Sequence, residues 1–320
     1  MLSDPRAFAG WLLRRLVAAA VVLLLTSVVV FLLQALAPGD PVQNLLPVGQ
    51  PPTKATLAAI RAEYGLDKSL PAQYVSWLTG ALHLDFGNSI TYGTNAGGVV
   101  AGRAVMTLEL AALALVLSLG IGIPLGVWIA RRHRSLADRL SLGGVLLVTS
   151  TPAFVSALGL TYVFSYKIPI FPASGVGEGF GDRLVHLVLP AVALAAPTLG
   201  LLVKISRTSV VDTLAKDYVA AARMRGVPER RTTWNYAVRN AMIPILTSAG
   251  IVTGYVITGT VLVETVFSLP GLGTLLVSAA ENQDIPVLQC LAVVFAAAIL
   301  LVNLLTDVLY AVVDPRVTLR

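Results

Sequence analysis

Three carboxylates lie within or at the ends of long apolar runs: Glu109, Glu264 and Asp307. An ionisable group at membrane depth is expensive, so each is a candidate for ion pairing, proton transfer or substrate contact. Proton-driven carriage would need midplane ionisable groups on broken helices, usually within an internal repeat. No repeat is evident, and Glu109 and Glu264 sit off the midplane. Intramembrane proteolysis would need two aspartates or a Ser/His set, and Asp307 stands alone. His83, His133 and His186 fall in different loops or span ends, which gives a metal site no support. Gly175 to Gly181 is glycine-rich but lacks the strand and helix that a dinucleotide site requires, so it reads as a flexible turn. A phosphate-cradling loop needs Gly followed by Lys. The five lysines, at 54, 68, 167, 204 and 216, follow Thr, Asp, Tyr, Val and Ala. The chain therefore has no P-loop of its own.

The elements that must position these groups are apolar. Hydrophobic residues make up 56% of the chain and charged residues 12%, about half the share a soluble domain uses to cover its surface. Mean hydropathy is +0.80. Six runs are long enough to cross about 30 Å of hydrocarbon: 16–36, 108–130, 140–166, 184–205, 242–267 and 285–313. The first follows Arg14 and Arg15 but is too long for a signal-peptide core, so it is expected to remain as a span. Pro124, Pro152, Pro190 and Pro197 lie inside these runs and are tolerable where neighbouring helices satisfy the freed carbonyls. Cys290, the single cysteine, sits in the last run and reads as a small core residue. The expected fold is an all-α integral membrane protein of six spans.

The net charge of +6 is topological rather than a nucleic-acid footprint, because the basic residues sit between apolar blocks. With both termini in the cytoplasm, 17 of the 23 Lys and Arg residues lie on that side. Eight of them fall between Lys204 and Arg239, whereas the 267–284 loop has none. This places the chain in a cell membrane with its long 37–103 loop outside.

Two loops carry patterned sequence. In the outer loop, Leu57, Ile60 and Tyr64 recur at helical spacing between Thr53 and Gly65. A second helix is expected from Pro71 to Ala81, either lying on the membrane surface through Tyr74 and Trp77 or packing as a cap over the bundle. In the 206–241 loop, Val211, Leu214, Tyr218, Ala221 and Ala222 form a helical stripe. Arg223 and Arg225 sit by its terminal carbonyls, Gly226 offers the left-handed stop and Pro228 prevents resumption. Such a helix is either a docking knob or an ordinary surface helix.

Tyr218 to Gly226, followed by Arg239-Asn-Ala-Met-Ile-Pro244, resembles the EAA loop of binding-protein-dependent ABC importer permeases. Ala220 stands where the general consensus has Glu, and the gap to the closing proline is longer, as in the peptide and nickel branch. Further similarity covers nearly the whole chain: Leu36-Ala-Pro-Gly-Asp-Pro41, Tyr64-Gly-Leu-Asp67, Leu70-Pro-Ala-Gln-Tyr74, Leu84-Asp-Phe-Gly-Asn-Ser89, Ser150-Thr-Pro-Ala-Phe154, Pro172-Ala-Ser-Gly175, Glu264 through Gly273 and Asp314-Pro-Arg316. Together they resemble the B-type permease of dipeptide/oligopeptide importers.

The resemblance implies a type I ABC importer permease fold, divided at 1–103 and 104–320. It implies a heterodimer with a C-type permease, two cytoplasmic ATPase subunits that hold ATP and magnesium, and an extracytoplasmic peptide-binding protein. No cofactor, metal, catalytic residue or nucleic acid belongs to this chain itself, whose other surroundings are membrane lipid. Tyr218, Ala221, Ala222, Arg223 and Gly226 are the expected ATPase-docking residues. Tyr255, Thr258, Glu264 and Asn303 are candidates for the translocation pathway, with Glu264 either meeting a peptide amino group or paired structurally. Tyr64, Asp67, Tyr74 and Trp77 are candidates for contact with the binding protein, from their place in the outer loop. Nickel, haem or another small solute would suit the same architecture, and an ion-driven carrier is the reading from another class.

Overall fold

The computed structural model describes residues 5–36, 53, 61 and 67–313. It contains α1 (Pro5–Ala35), α2 (Leu70–Leu82), α3 (Ala96–Arg131), α4 (Leu136–Ser150), α5 (Ala153–Lys167), α6 (Gly179–Leu214), α7 (Asp217–Met224), α8 (Glu229–Phe267), α9 (Leu272–Glu281) and α10 (Ile285–Val313). Among the described residues, α1, α3, α6, α8 and α10 are each long and apolar enough to cross a membrane. The pair α4 and α5 brings the number to 6 if it counts as one crossing.

That pair holds the third expected run, 140–166, and is bent within it. Its two helices meet at 99°. Thr151, just before Pro152, is extended at φ −90°, ψ 119°, as steric clash with the proline ring demands. Thr151 itself closes part of the last turn of α4, its N–H donating to the Val148 carbonyl at 3.4 Å and its Oγ1 to that of Leu147 at 2.8 Å. Pro124, Pro190 and Pro197 stay inside unbroken helices.

The chain forms two compact units. One takes Thr107–Leu269 with the described residues of both chain ends. Within it α6 packs on α4, α5 and α8. Gly122 and Gly126, four apart on α3, let that helix approach α6 at backbone distance. A Cβ on Gly126 would lie 2.6 Å from Ser206 Cβ, and one on Gly122 would lie 3.0 Å from Leu202 Cβ. Small residues at this spacing allow close packing where no hydrophobic effect drives association. At one end, Arg207 of α6 grips Asp138 of α4 with Nε to Oδ1 at 2.6 Å and Nη2 to Oδ2 at 2.8 Å.

The other unit is Arg14–Met106 with Pro270–Leu300, so the expected division at residue 103 is not a cut in sequence alone. Residues 270–300 join it because Leu272, Leu275, Val287 and Leu291 share one core with Phe86, Ala96 and Val100. Buried Asp284 pins the 88–92 turn, accepting from Ser89 Oγ and from the backbone N–H groups of Ile90, Thr91 and Val287. Helix α2 packs on its own unit: Tyr74 meets Phe31 edge-on at 5.4 Å and shares a 2.9 Å hydrogen bond with Ser27, while Trp77 packs on the same core. The helix expected from Thr53 to Gly65, Tyr64 included, lies outside the described residues.

Candidate functional site

Helix α6 ends at Leu214, and Ala215 and Lys216 turn the chain before α7 begins. This two-residue break resets the helical phase. The expected single stripe is therefore split. Val211 and Leu214 pack on a core of Val127, Ala130, Val210, Ala237, Val238, Ala241 and Ile245. On α7, Val219 and Ala222 are buried while Tyr218 is 43% and Met224 83% exposed. Ala221 is half-buried, and Arg223, Arg225 and Gly226 are exposed. Ala222 thus supports the helix from beneath, within its own chain, and offers no outer surface.

The stop is built as its residues require. Gly226 has φ +76°, its N–H donates to the Arg223 carbonyl at 2.9 Å, and the Val227 N–H reaches that of Ala222 at 3.2 Å. This is the paired closure of a left-handed helix end. Arg223 then bonds forward to Glu229, Nη2 to Oε1 at 2.8 Å, tying α7 to the start of α8. The Arg223 hydrogen bond, assisted by the charge of Arg131, holds the Glu229 carboxyl below its ordinary value. Asp217 in the first turn and Arg223 in the last both complement the helix dipole.

Helix α8 has two faces. Ala241, Ile245, Ser248, Val252, Val256, Thr260, Val263, Glu264 and Phe267 are buried. The opposite stripe exposes Thr247, Ile251, Tyr255, Thr258, Leu262 and Thr265. Tyr255 is 61% exposed. Its neighbour Thr258 satisfies its hydroxyl on the Tyr255 and Gly254 carbonyls. Asn303 of α10 is exposed, one turn from Thr306, which packs on Gly250 of α8. Glu264 faces the other way. It is fully buried and accepts from Thr107 Oγ1 at 2.7 Å, which ties α3 to α8 and leaves it no exposed surface toward a peptide.

The remaining candidates separate by setting. Asp67 is exposed, whereas Tyr74 and Trp77 face their own unit. Glu109 pairs with Arg183 at 2.7 Å. The 175–181 segment is built rather than loose: Gly175, Gly177 and Gly179 all have positive φ, and the Glu178 N–H caps onto Asp182 at 2.8 Å. Sequence reasoning missed the Arg207–Asp138 grip and the exposure of Met224. The first had a faint local signal, since Ser135 caps α4 by accepting from the Asp138 N–H and so fixes where that aspartate stands.

Residues 122–319 match the model of the binding-protein-dependent transport system inner membrane component, and residues 8–107 match its N-terminal companion. The chain belongs to this family. It is an ABC importer permease with a type I fold and a multi-pass membrane protein. A peptide permease protein of Brucella ovis is 36% identical over 311 residues, covering 95% of this chain and 98% of that one. A peptide ABC transporter permease of Sinorhizobium fredii is 35% identical over 310 residues, covering 96% and 98%. The glutathione transport system permease of Salmonella typhimurium is 33% identical over 307 residues, with the same coverage. The crystal structure of an amino acid ABC transporter with histidines shares the fold, with a TM-score of 0.50 at 18% identity over 67% of this chain and 94% of that one. In this permease, then, α7 is a helix of 8 residues standing between the two long helices α6 and α8.

Proposed function

We infer that the permease forms half of the translocation pathway of an ATP-driven importer of short peptides. It would pair with a second, C-type permease and draw power from two cytoplasmic ATPase subunits, which bind ATP and magnesium. Substrate would arrive on an extracytoplasmic binding protein. The observation that carries this reading is α7: a short helix stopped on both sides, tied by Arg223 to α8 and by two residues to α6, presenting Tyr218 and Met224 outward. A push on α7 reaches two spans at once. Helix α6 alone has 36 residues, about 54 Å of rise, enough to carry that motion across a bilayer.

The bias of Lys and Arg toward the 204–239 segment supports a cytoplasmic α7, with both termini on the same side. The lack of a Gly-Lys loop in the chain supports the reading that ATP is bound and hydrolysed by partner subunits. The pathway face is the stripe of α8 with Tyr255 and Thr258, joined by Asn303, while Glu264 positions α8 against α3 through Thr107. Peptide is the favoured cargo because two relatives are named for peptide and a third for glutathione, a tripeptide. The test is reconstitution in proteoliposomes with the partner subunits. Uptake of a radiolabelled tripeptide that requires ATP and loaded binding protein is the expected result, and uptake driven by an ion gradient alone would overturn it.

A further inference from the structure

Helix α6 carries an ion pair near each end, and the two are built differently. Arg207 grips Asp138 through two aimed hydrogen bonds, with side chains 14% and 4% exposed. Arg183 stands 24 positions earlier, about 36 Å along the helix, and meets Glu109 of α3 at a single point. Arg183 Nε and Glu109 Oε2 are 2.7 Å apart, yet the Nε–H is not aimed at the carboxylate and neither atom has a hydrogen-bond partner. Both atoms are shut away from water, while the side chains that carry them stay 34% and 38% exposed. Withdrawing charge from water without aligned hydrogen bonds costs nearly as much as the attraction returns. The Glu109–Arg183 contact is therefore held by charge alone and is poised to open. The Arg207–Asp138 grip is not.

The contacts between α3 and α6 say which part of α3 would move. Ser118 and Thr198 share a buried 2.8 Å hydrogen bond across the two helices. Further along both, Gly122 lies against Leu202 and Gly126 against Ser206. Helix α3 is thus seated on α6 from Ser118 onward. Glu109 lies nine positions before that seat begins, about 13 Å along the helix, and Arg183 is the α6 side chain that reaches it. Two positions from Glu109, Thr107 donates to Glu264 at 2.7 Å, which ties this end of α3 to α8. The other face of α8 holds Tyr255 and Thr258. We propose that Glu109–Arg183 is a latch. Closed, it holds the Glu109 end of α3 to α6; open, it lets that end tilt about the Ser118–Gly126 seat and draw on α8 through Thr107. This rests on the importer reading, because a cycle that opens the pathway to each side in turn needs a contact that breaks and re-forms.

The experiment uses the complete transporter in proteoliposomes, with Cys290→Ser as background. Glu109→Cys with Arg183→Cys is bridged by a short bis-methanethiosulfonate reagent, which both partly exposed positions admit. Ser118→Cys with Thr198→Cys, oxidised to a disulfide, is the control that locks the seat instead of the latch. Bridging the latch should abolish ATP-driven tripeptide uptake, and dithiothreitol should restore it. Locking the seat should leave uptake intact. Glu109→Gln should raise ATP hydrolysis in the absence of loaded binding protein, and the exchange Glu109→Arg with Arg183→Glu should bring it back toward wild type. A static staple would tolerate the bridge, so unchanged uptake in the bridged protein would overturn the latch. Failure of the reagent to join the two positions would overturn it too, as would equal loss of uptake when the seat is locked. Uptake that needs no ATP but is stopped by the same bridge would overturn the importer reading and uphold the latch.

Discussion

Arg207 and Asp138 meet in a two-point ion pair, 2.6 and 2.8 Å, with side chains only 14% and 4% exposed. The grip lies seven residues before the end of α6 and holds the start of α4 to the helix that leads into α7. The Arg134 N–H adds a third donor to the same carboxylate at 2.9 Å. Breaking one side should leave an uncompensated buried charge, at a cost of about 3–5 kcal/mol. Asp138→Leu should therefore lower the unfolding midpoint of the purified protein sharply, whereas Asp138→Leu with Arg207→Met should recover much of it. Equal midpoints for the single variant and wild type would show that the pair holds nothing.

Gly126 predicts a packing effect of a different kind. A methyl group there would meet Ser206 Cβ at 2.6 Å and the Val203 carbonyl at 2.8 Å, both fixed parts of α6. Gly126→Ala should destabilise the protein by about 1–3 kcal/mol through overpacking. Gly143→Ala on α4, where nothing lies within 4 Å, should be neutral or slightly stabilising. Thermal unfolding in one detergent compares the two directly.

The sequence made some of this legible and hid the rest for identifiable reasons. The stop at Gly226 and Pro228 is local chemistry, and the left-handed glycine stands where those residue types require it. The burial of Ala222 was not legible, because a two-residue turn at Ala215–Lys216 shifts the phase and both residues are compatible with helix. Glu264 looked available because its partner Thr107 lies 157 positions away. Pro124, Pro152, Pro190 and Pro197 looked alike, yet of these only Pro152 breaks its helix, where Thr151 bonds the Val148 and Leu147 carbonyls. The glycine-rich 175–181 segment read as loose because its ordering depends on Asp182 of α6, which accepts from the Glu178 N–H.

Asp284 should prove an organiser of the unit formed by Arg14–Met106 and Pro270–Leu300. It is fully buried, and its removal strands the Ser89 hydroxyl and three backbone N–H groups. Each buried unsatisfied donor costs about 1–3 kcal/mol. Asp284→Ala should expose the 84–95 segment to limited proteolysis at a temperature where wild type resists. Unchanged cleavage would mean that the turn is held by other contacts.

Orientation can be read with an impermeant thiol reagent in a Cys290→Ser background. Asp67→Cys should label from outside intact spheroplasts, and Glu229→Cys only after lysis, since Asp67 and Glu229 are both exposed. The reverse pattern would invert the topology and remove α7 from the cytoplasm.

The central claim is that α7 is the mechanical link between ATP hydrolysis and the spans, and Gly226→Val tests it most directly. At φ +76° a β-branched residue faces about 1–2 kcal/mol of strain, about a 5- to 30-fold loss of the correctly ended helix. Gly181→Ala is the matched control, because it lies in the first turn of α6 with nothing within 4 Å, whereas Gly179 itself has φ +79° and would be strained. The measurement is peptide taken up per ATP hydrolysed in proteoliposomes holding the complete transporter at matched expression. The account predicts that Gly226→Val inserts normally but loses uptake by about tenfold, while hydrolysis no longer responds to loaded binding protein. Uptake and stimulation equal to wild type would contradict it.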